Sequence, residues 1–188
     1  SVLKRYYRSS NGLRTPGVVG MDLAGDELRF PTRLYSDFFE QARALGIPAT
    51  CHAGEGPDPA SLADALELGV QRIGHGTCLG AEPRLLAEVV RKRVAIEVNL
   101  TSNLRTRSVA GLREHPARRF FDAGARVSFN TDDRGLFGID LTHEYERALE
   151  AGFELEAVVR VSRDAVDQLF LPDADRAELR RQLDEVTA

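Results

Sequence analysis

Pro48-Ala49-Thr50-Cys51-His52-Ala53-Gly54-Glu55 is a short strand-like run that ends on a histidine, a glycine and a carboxylic acid. Arg72-Ile73-Gly74-His75-Gly76 repeats the arrangement after an intervening helix-like segment. Arg126-Val127-Ser128-Phe129-Asn130-Thr131-Asp132-Asp133 does so again further on. Working outward from these runs, the pattern predicts strands over residues 18–23, 48–52, 72–75, 94–99 and 126–130. It predicts helices over 32–45, 61–68, 83–92, 115–122, 141–151, 155–169 and 173–185. Leu34, Phe38, Ala42 and Leu45 recur at helical spacing on one face. Gly46, Gly69 and Gly124 stand where helices end, and Pro83 suits a first turn. Strands that alternate with helices at this spacing make βαβ units and a parallel sheet. An open doubly wound sheet and a closed barrel both fit. The polar motif residues all fall at the C-terminal ends of successive strands, and in a barrel those ends converge on one mouth. Convergence favours a (β/α)8 TIM barrel, although five strands are three short of closing one.

The chain's 188 residues suffice for one domain with a sizeable core. A net charge of -4 argues against nonspecific nucleic-acid binding. No apolar stretch approaches the roughly 20 residues that span a bilayer, so no membrane partner is expected. The two cysteines, Cys51 and Cys78, lack disulfide-scaffold spacing and fit a reducing cytoplasm; small buried residues at strand ends are the simplest reading of both. The start at Ser1, with no apolar signal core after Lys4, Arg5 and Arg8, suggests a part upstream.

Taken singly, the motif residues have plain structural readings. Across a glycine, His52 and Glu55 can share one pocket, the imidazole binding a metal and the carboxyl exchanging protons. His75 stands between two glycines that let a ligand come close, yet a satisfied structural histidine is as good a reading. Of the adjacent pair Asp132 and Asp133, one can reach a metal and the other a substrate donor; a solvated turn is the common alternative. Gly25, in Asp22-Leu23-Ala24-Gly25-Asp26-Glu27, can face a backbone N–H towards a ligand or merely turn the chain. Thr101-Ser102-Asn103 supplies small polar groups or a helix cap. His115 and His143 lie in helical stretches and read as surface or structural, and Arg91-Lys92-Arg93 as a solvated basic helix end.

Together these segments are far more specific. His52-Ala53-Gly54-Glu55, Arg72-Ile73-Gly74-His75-Gly76, Thr101-Ser102-Asn103, Ser128-Phe129-Asn130-Thr131-Asp132-Asp133 and Asp22-Leu23-Ala24-Gly25-Asp26-Glu27 resemble the signature series of the adenosine deaminase family. They stand in that family's order, from about residue 17 to residue 145. The resemblance implies a zinc-dependent (β/α)8 barrel of the amidohydrolase type, with one Zn2+ per site and a purine nucleoside as substrate. It implies that His52 and Asp132 are zinc ligands and that Glu55 protonates purine N1. It further implies that His75 orients and deprotonates the metal-bound water, that Asp133 bonds N7 and that the Gly25 N–H faces N3.

The chain departs from that pattern in three places. The family's His-x-His pair, two further zinc ligands, is nowhere in this sequence. The first strand resembles the family's fourth, so the resemblance implies that strands four to eight are present and strands one to three are missing. Residues 1–188 then read as the C-terminal part of a single barrel domain. Alone, such a piece is expected to hold zinc weakly, to be inactive and to leave open strand edges that invite pairing, as in a homo-oligomer. Arg134-Gly135 follows the Asp pair where the family commonly has Pro, and Asn99-Leu100 stands where Cys-Pro is common. Both loops border the substrate pocket, so adenine, an AMP derivative or 6-aminodeoxyfutalosine compete with adenosine. A catalytically silent purine-binding relative is the reading from a different class.

Overall fold

The computed structural model describes residues 19–187. Strand β1 spans Met21–Leu23, β2 Ala49–Ala53, β3 Arg72–His75, β4 Ala95–Val98 and β5 Arg126–Phe129. They form one sheet in the order β1-β2-β3-β4-β5, and every neighbouring pair is parallel. This order decides between the two architectures. A doubly wound sheet reverses direction at a switch point, whereas here each crossover steps the same way. Right-handed crossovers that all step one way carry their helices to one face, which is the winding of a barrel wall. Among the described residues, β1 and β5 each pair on one side only.

The helices are α1 (Ser36–Ala44), α2 (Ala60–Leu68), α3 (Pro83–Lys92), α4 (Leu100–Arg105) and α5 (Ala117–Asp122). They continue with α6 (Arg134–Phe137), α7 (Leu141–Glu150), α8 (Leu155–Val166) and α9 (Asp173–Thr187). None is long and apolar enough to cross a membrane.

Strand alternation separates two environments. Cys51, Ala53, Ile73, Ile96, Val98, Val127 and Phe129 are buried in the apolar core. The opposite face carries Thr50, His52, Arg72, Gly74, Glu97 and Ser128, which the parallel register sets side by side. Glu97 ties three strands there. Its Oε2 accepts from Thr50 Oγ1 at 2.8 Å, and its Oε1 lies 2.8 Å from Arg72 Nε as an ion pair outside hydrogen-bond geometry. The Arg72 guanidinium stacks 3.7 Å from the Phe170 ring centroid. This polar face is the side that a barrel turns towards its bore. On the apolar side, Phe120 of α5 is fully buried. Phe120→Ala should cost about 3–5 kcal/mol, read as a fall in denaturant midpoint at unchanged slope.

Several boundaries differ from the sequence expectation, for local reasons. The segment 32–45 is a 3-10 turn, Thr32–Tyr35, followed by α1. The tighter period of that turn rotates the following face. Leu34 and Phe38 are therefore 66% and 55% exposed, while Phe39 and Ala42 pack inward. The helix expected from His115 begins at Ala117, because a residue before proline avoids the helical region and Pro116 follows His115. Thr101-Ser102-Asn103, outside every helix expected from the sequence, lies within α4. Helix α8 ends at Val166, short of Leu169. Of the strand expected over 18–23, Val18 lies outside the described residues.

Candidate active site

His52 is the penultimate residue of β2, on the polar face, and His75 ends β3 one strand over. Their rings meet edge to face, with centroids 4.7 Å apart. Asp132 arrives from the β5 loop. One donor atom each from His52, His75 and Asp132 lies within 4.8 Å of the others. Two of these residues hold a left-handed backbone, His75 with φ 68° and Asp132 with φ 53°. Such conformations are uncommon outside glycine, and they turn both side chains away from the strand alternation.

The donor set fits a metal. Nδ1 of His52 is buried and makes no hydrogen bond. It lies 3.6 Å from Asp22 Oδ1, too far for a hydrogen bond but close enough for charge to act. The neighbouring Asp22 carboxylate pushes the His52 pKa up against the opposing effect of burial. An imidazole and a carboxylate, here from His52 and Asp132, are nitrogen and oxygen ligands of the kind zinc takes. Burial lowers the pKa of His75, against the pull of Glu55. Asp132 is oriented by Ser102, whose hydroxyl donates to Oδ2 at 2.7 Å.

Glu55 follows in the β2 loop, its Oε1 3.8 Å from His75 Nδ1. The Thr106 hydroxyl donates to that same Oε1 at 2.8 Å, and Ser108, 2.7 Å from Thr106, donates to Oε1 as well at 3.3 Å. Oε2 makes no hydrogen bond among the described residues. Glu27 pins this loop to β1: its two oxygens accept the N–H groups of Gly54 and Gly56, each at 2.7 Å, together with the Ser61 hydroxyl. Gly25 sits at φ 133°, with open space where a side chain would be. It lines a cavity of about 530 Å³ together with Glu27, Glu55, Thr77, Thr106 and Ser108. Asp133 is exposed at the N-terminus of α6, beside Asp132 but outside the cluster of donors.

Several supporting residues escaped the sequence reading. Glu27, Thr106 and Ser108 are common polar loop residues and Ser102 lies in α4, and only the fold shows what they hold. Glu144 of α7 is fully buried, and both its oxygens lie 3.3 Å from the Thr101 N–H at the start of α4. That helix carries Ser102 and Asn103, so Glu144 braces it from below. His143 accepts from Arg147 Nε at 3.2 Å, a structural role. His115 is structural as well and is buried rather than on the surface. Burial pushes both cysteine thiols up to about 12, which leaves them protonated and inert at neutral pH.

His115 gives the site's surroundings a pH dependence. Burial pushes its pKa down to about 4 from 6.5, so folding favours the neutral ring. Its contribution is complete above pH 6.5 and is lost as pH falls towards 4, a change of about 3 kcal/mol. Urea unfolding of wild type and His115→Phe across that window should show the variant with the shallower slope. Parallel slopes would contradict this assignment.

The family model for adenosine deaminase matches residues 3–186. The chain belongs to the adenosine deaminase family. An adenosine deaminase of Shewanella loihica is 42% identical over 164 residues, which cover 86% of this chain and 50% of that protein. Among solved structures, Arabidopsis ADAL complexed with IMP superposes with a TM-score of 0.84 at 28% identity, over 91% of this chain and 50% of that one. The adenine deaminase of Arthrobacter aurescens gives 0.82 at 26% identity, over 90% and 53%. The chain thus spans about half the length of the curated relatives it matches. Its five strands are a portion of the (β/α)8 barrel that these amidohydrolases share.

Proposed function

We propose that this chain supplies part of a zinc-dependent site that deaminates a 6-aminopurine nucleoside, converting adenosine to inosine and ammonia. The observation that carries this reading is the meeting of His52, His75 and Asp132 beside a carboxylic acid, Glu55, that is held at one oxygen and free at the other. Zinc, when bound, supplies a hydroxide near neutral pH by lowering the pKa of its water to about 7. His52 and Asp132 hold the metal in this account, and further ligands come from outside residues 19–187. Glu55 gives a proton to N1, which withdraws electrons from C6 and opens the ring to attack. His75 orients the attacking oxygen. Asp133 bonds N7 and the Gly25 N–H bonds N3, so purine orientation is fixed from two sides.

The substrate remains within 6-aminopurines. Relatives at 42% identity are adenosine deaminases, whereas one structural neighbour is an adenine deaminase and another binds IMP. Ammonia release from adenosine, adenine and AMP, compared at equal zinc loading in this chain joined to the N-terminal half of a relative, tests the assignment. Adenosine should give the highest kcat/KM of the three; a clear preference for adenine or AMP would move the substrate and leave the chemistry in place.

A further inference from the structure

The hydrogen bonds between the start of α5 and the site admit one arrangement of protons. The backbone N–H of Ala117 can only donate, and it meets His115 Nδ1 at 3.1 Å. That nitrogen therefore holds its lone pair, and the neutral ring carries its proton on Nε2. His115 Nε2 lies 3.2 Å from Asn103 Oδ1, which can only accept. The carboxamide is thereby oriented, and its Nδ2 is directed at His75 Nδ1, 2.9 Å away. An amide nitrogen only donates, so Nδ1 of His75 also holds a lone pair. Asn99 Nδ2 reaches the same atom at 3.2 Å, consistent with an acceptor there. His75, Asn103 and His115 are 1%, 0% and 4% exposed, so water does not compete along the chain of bonds. The remaining nitrogen, His75 Nε2, makes no hydrogen bond among the described residues.

We infer that Asn103 and His115 are positioning residues that fix His75 as an Nε2–H donor towards the His52–Asp132 cluster. What this does in catalysis rests on the deaminase reading above, and it narrows the role given to His75 there. A nitrogen that already carries a proton neither binds a metal nor takes a proton from water. The proton lost by the attacking water passes to solvent, and His75 instead donates a hydrogen bond to the resulting oxygen nucleophile and steadies the charge on it as it adds to C6. The lone pair that could accept a proton faces inward, against two carboxamides, with Glu55 Oε1 farther off at 3.8 Å. His75 is thereby set apart from His52, whose buried Nδ1 has no hydrogen bond and remains available to a cation.

The test is the tautomer itself, read from two-bond 1H–15N correlations of the histidine rings in the 15N-labelled full chain. His75→Gln assigns the His75 signals by their loss. Wild type should show a protonated Nε2 and an unprotonated Nδ1 for His75. In Asn103→Asp the new carboxylate accepts instead of donating, and the His75 proton should move to Nδ1. His115→Phe releases the carboxamide and should give a mixture of both tautomers. A wild-type His75 protonated on Nδ1, or an Nε2–H form unchanged in both variants, would overturn the inference. A residue that served folding alone would leave the pattern unmoved wherever the variant folds. In the active, zinc-loaded enzyme, Asn103→Asp should also lower kcat on the order of a hundredfold with little change in KM. The ring spectrum needs no substrate, so a failed deamination assay would count against the deaminase reading and not against this relay.

Discussion

Glu55→Gln should lower the rate of deamination on the order of a thousandfold while leaving zinc binding and fold intact. Glutamine matches glutamate in size and keeps an oxygen for the Thr106 hydroxyl, which holds Glu55 Oε1 at 2.8 Å. What it removes is the proton that the free oxygen would pass to N1. Without that proton C6 stays a poor electrophile, and the loss falls on kcat rather than on KM. Steady-state ammonia release gives both parameters, and metal analysis on the same sample shows whether the site is still filled. A fall in KM affinity with kcat preserved would make Glu55 a binding group and not the acid. Thr106→Val acts through Glu55 and should fall between wild type and the glutamine variant.

Loss of the Asp132 carboxylate should cost more zinc affinity than loss of anything that merely orients it. Ser102→Ala removes the 2.7 Å hydrogen bond to Oδ2 and should weaken zinc roughly 10- to 100-fold, the usual effect of removing an outer partner. Asp132→Asn keeps an oxygen and tolerates the left-handed backbone but loses the charge, so it should lie beyond that range. Asp132→Ala loses the donor too and adds backbone strain at φ 53°. Competition with a chelator orders the variants. If Ser102→Ala and Asp132→Ala weakened zinc equally, Asp132 would not be a ligand.

The sequence makes the strand ends legible because a buried parallel strand that stops on a histidine or an Asp pair is chemically conspicuous. His52, Glu55, His75 and Asp132 stand out on that ground, and the structure brings all four to one end of the sheet. Barrel winding was only favoured by convergence; the unbroken order β1-β2-β3-β4-β5 adds what residue patterns do not contain. The supporting groups were invisible for a different reason. Asn103 and His115 are twelve residues apart on separate turns, and their joint effect on His75 depends on a single backbone N–H at the start of α5. Glu27 lies 27 residues before the Gly54 N–H that it holds. No periodicity announces such pairs. Leu34 and Phe38 mark the opposite error: helical spacing was right, yet a 3-10 turn shifted the face and left both exposed.

The most direct test joins the N-terminal half of the Shewanella loihica relative to this chain, since the match covers that protein's other half. Ammonia release from adenosine is then measured on the zinc-loaded chimera with and without Glu55→Gln. The account predicts turnover that depends on Glu55, with inosine and ammonia formed in equal amounts. Turnover that survives Glu55→Gln, or a folded and zinc-loaded chimera that leaves every 6-aminopurine intact, would contradict it.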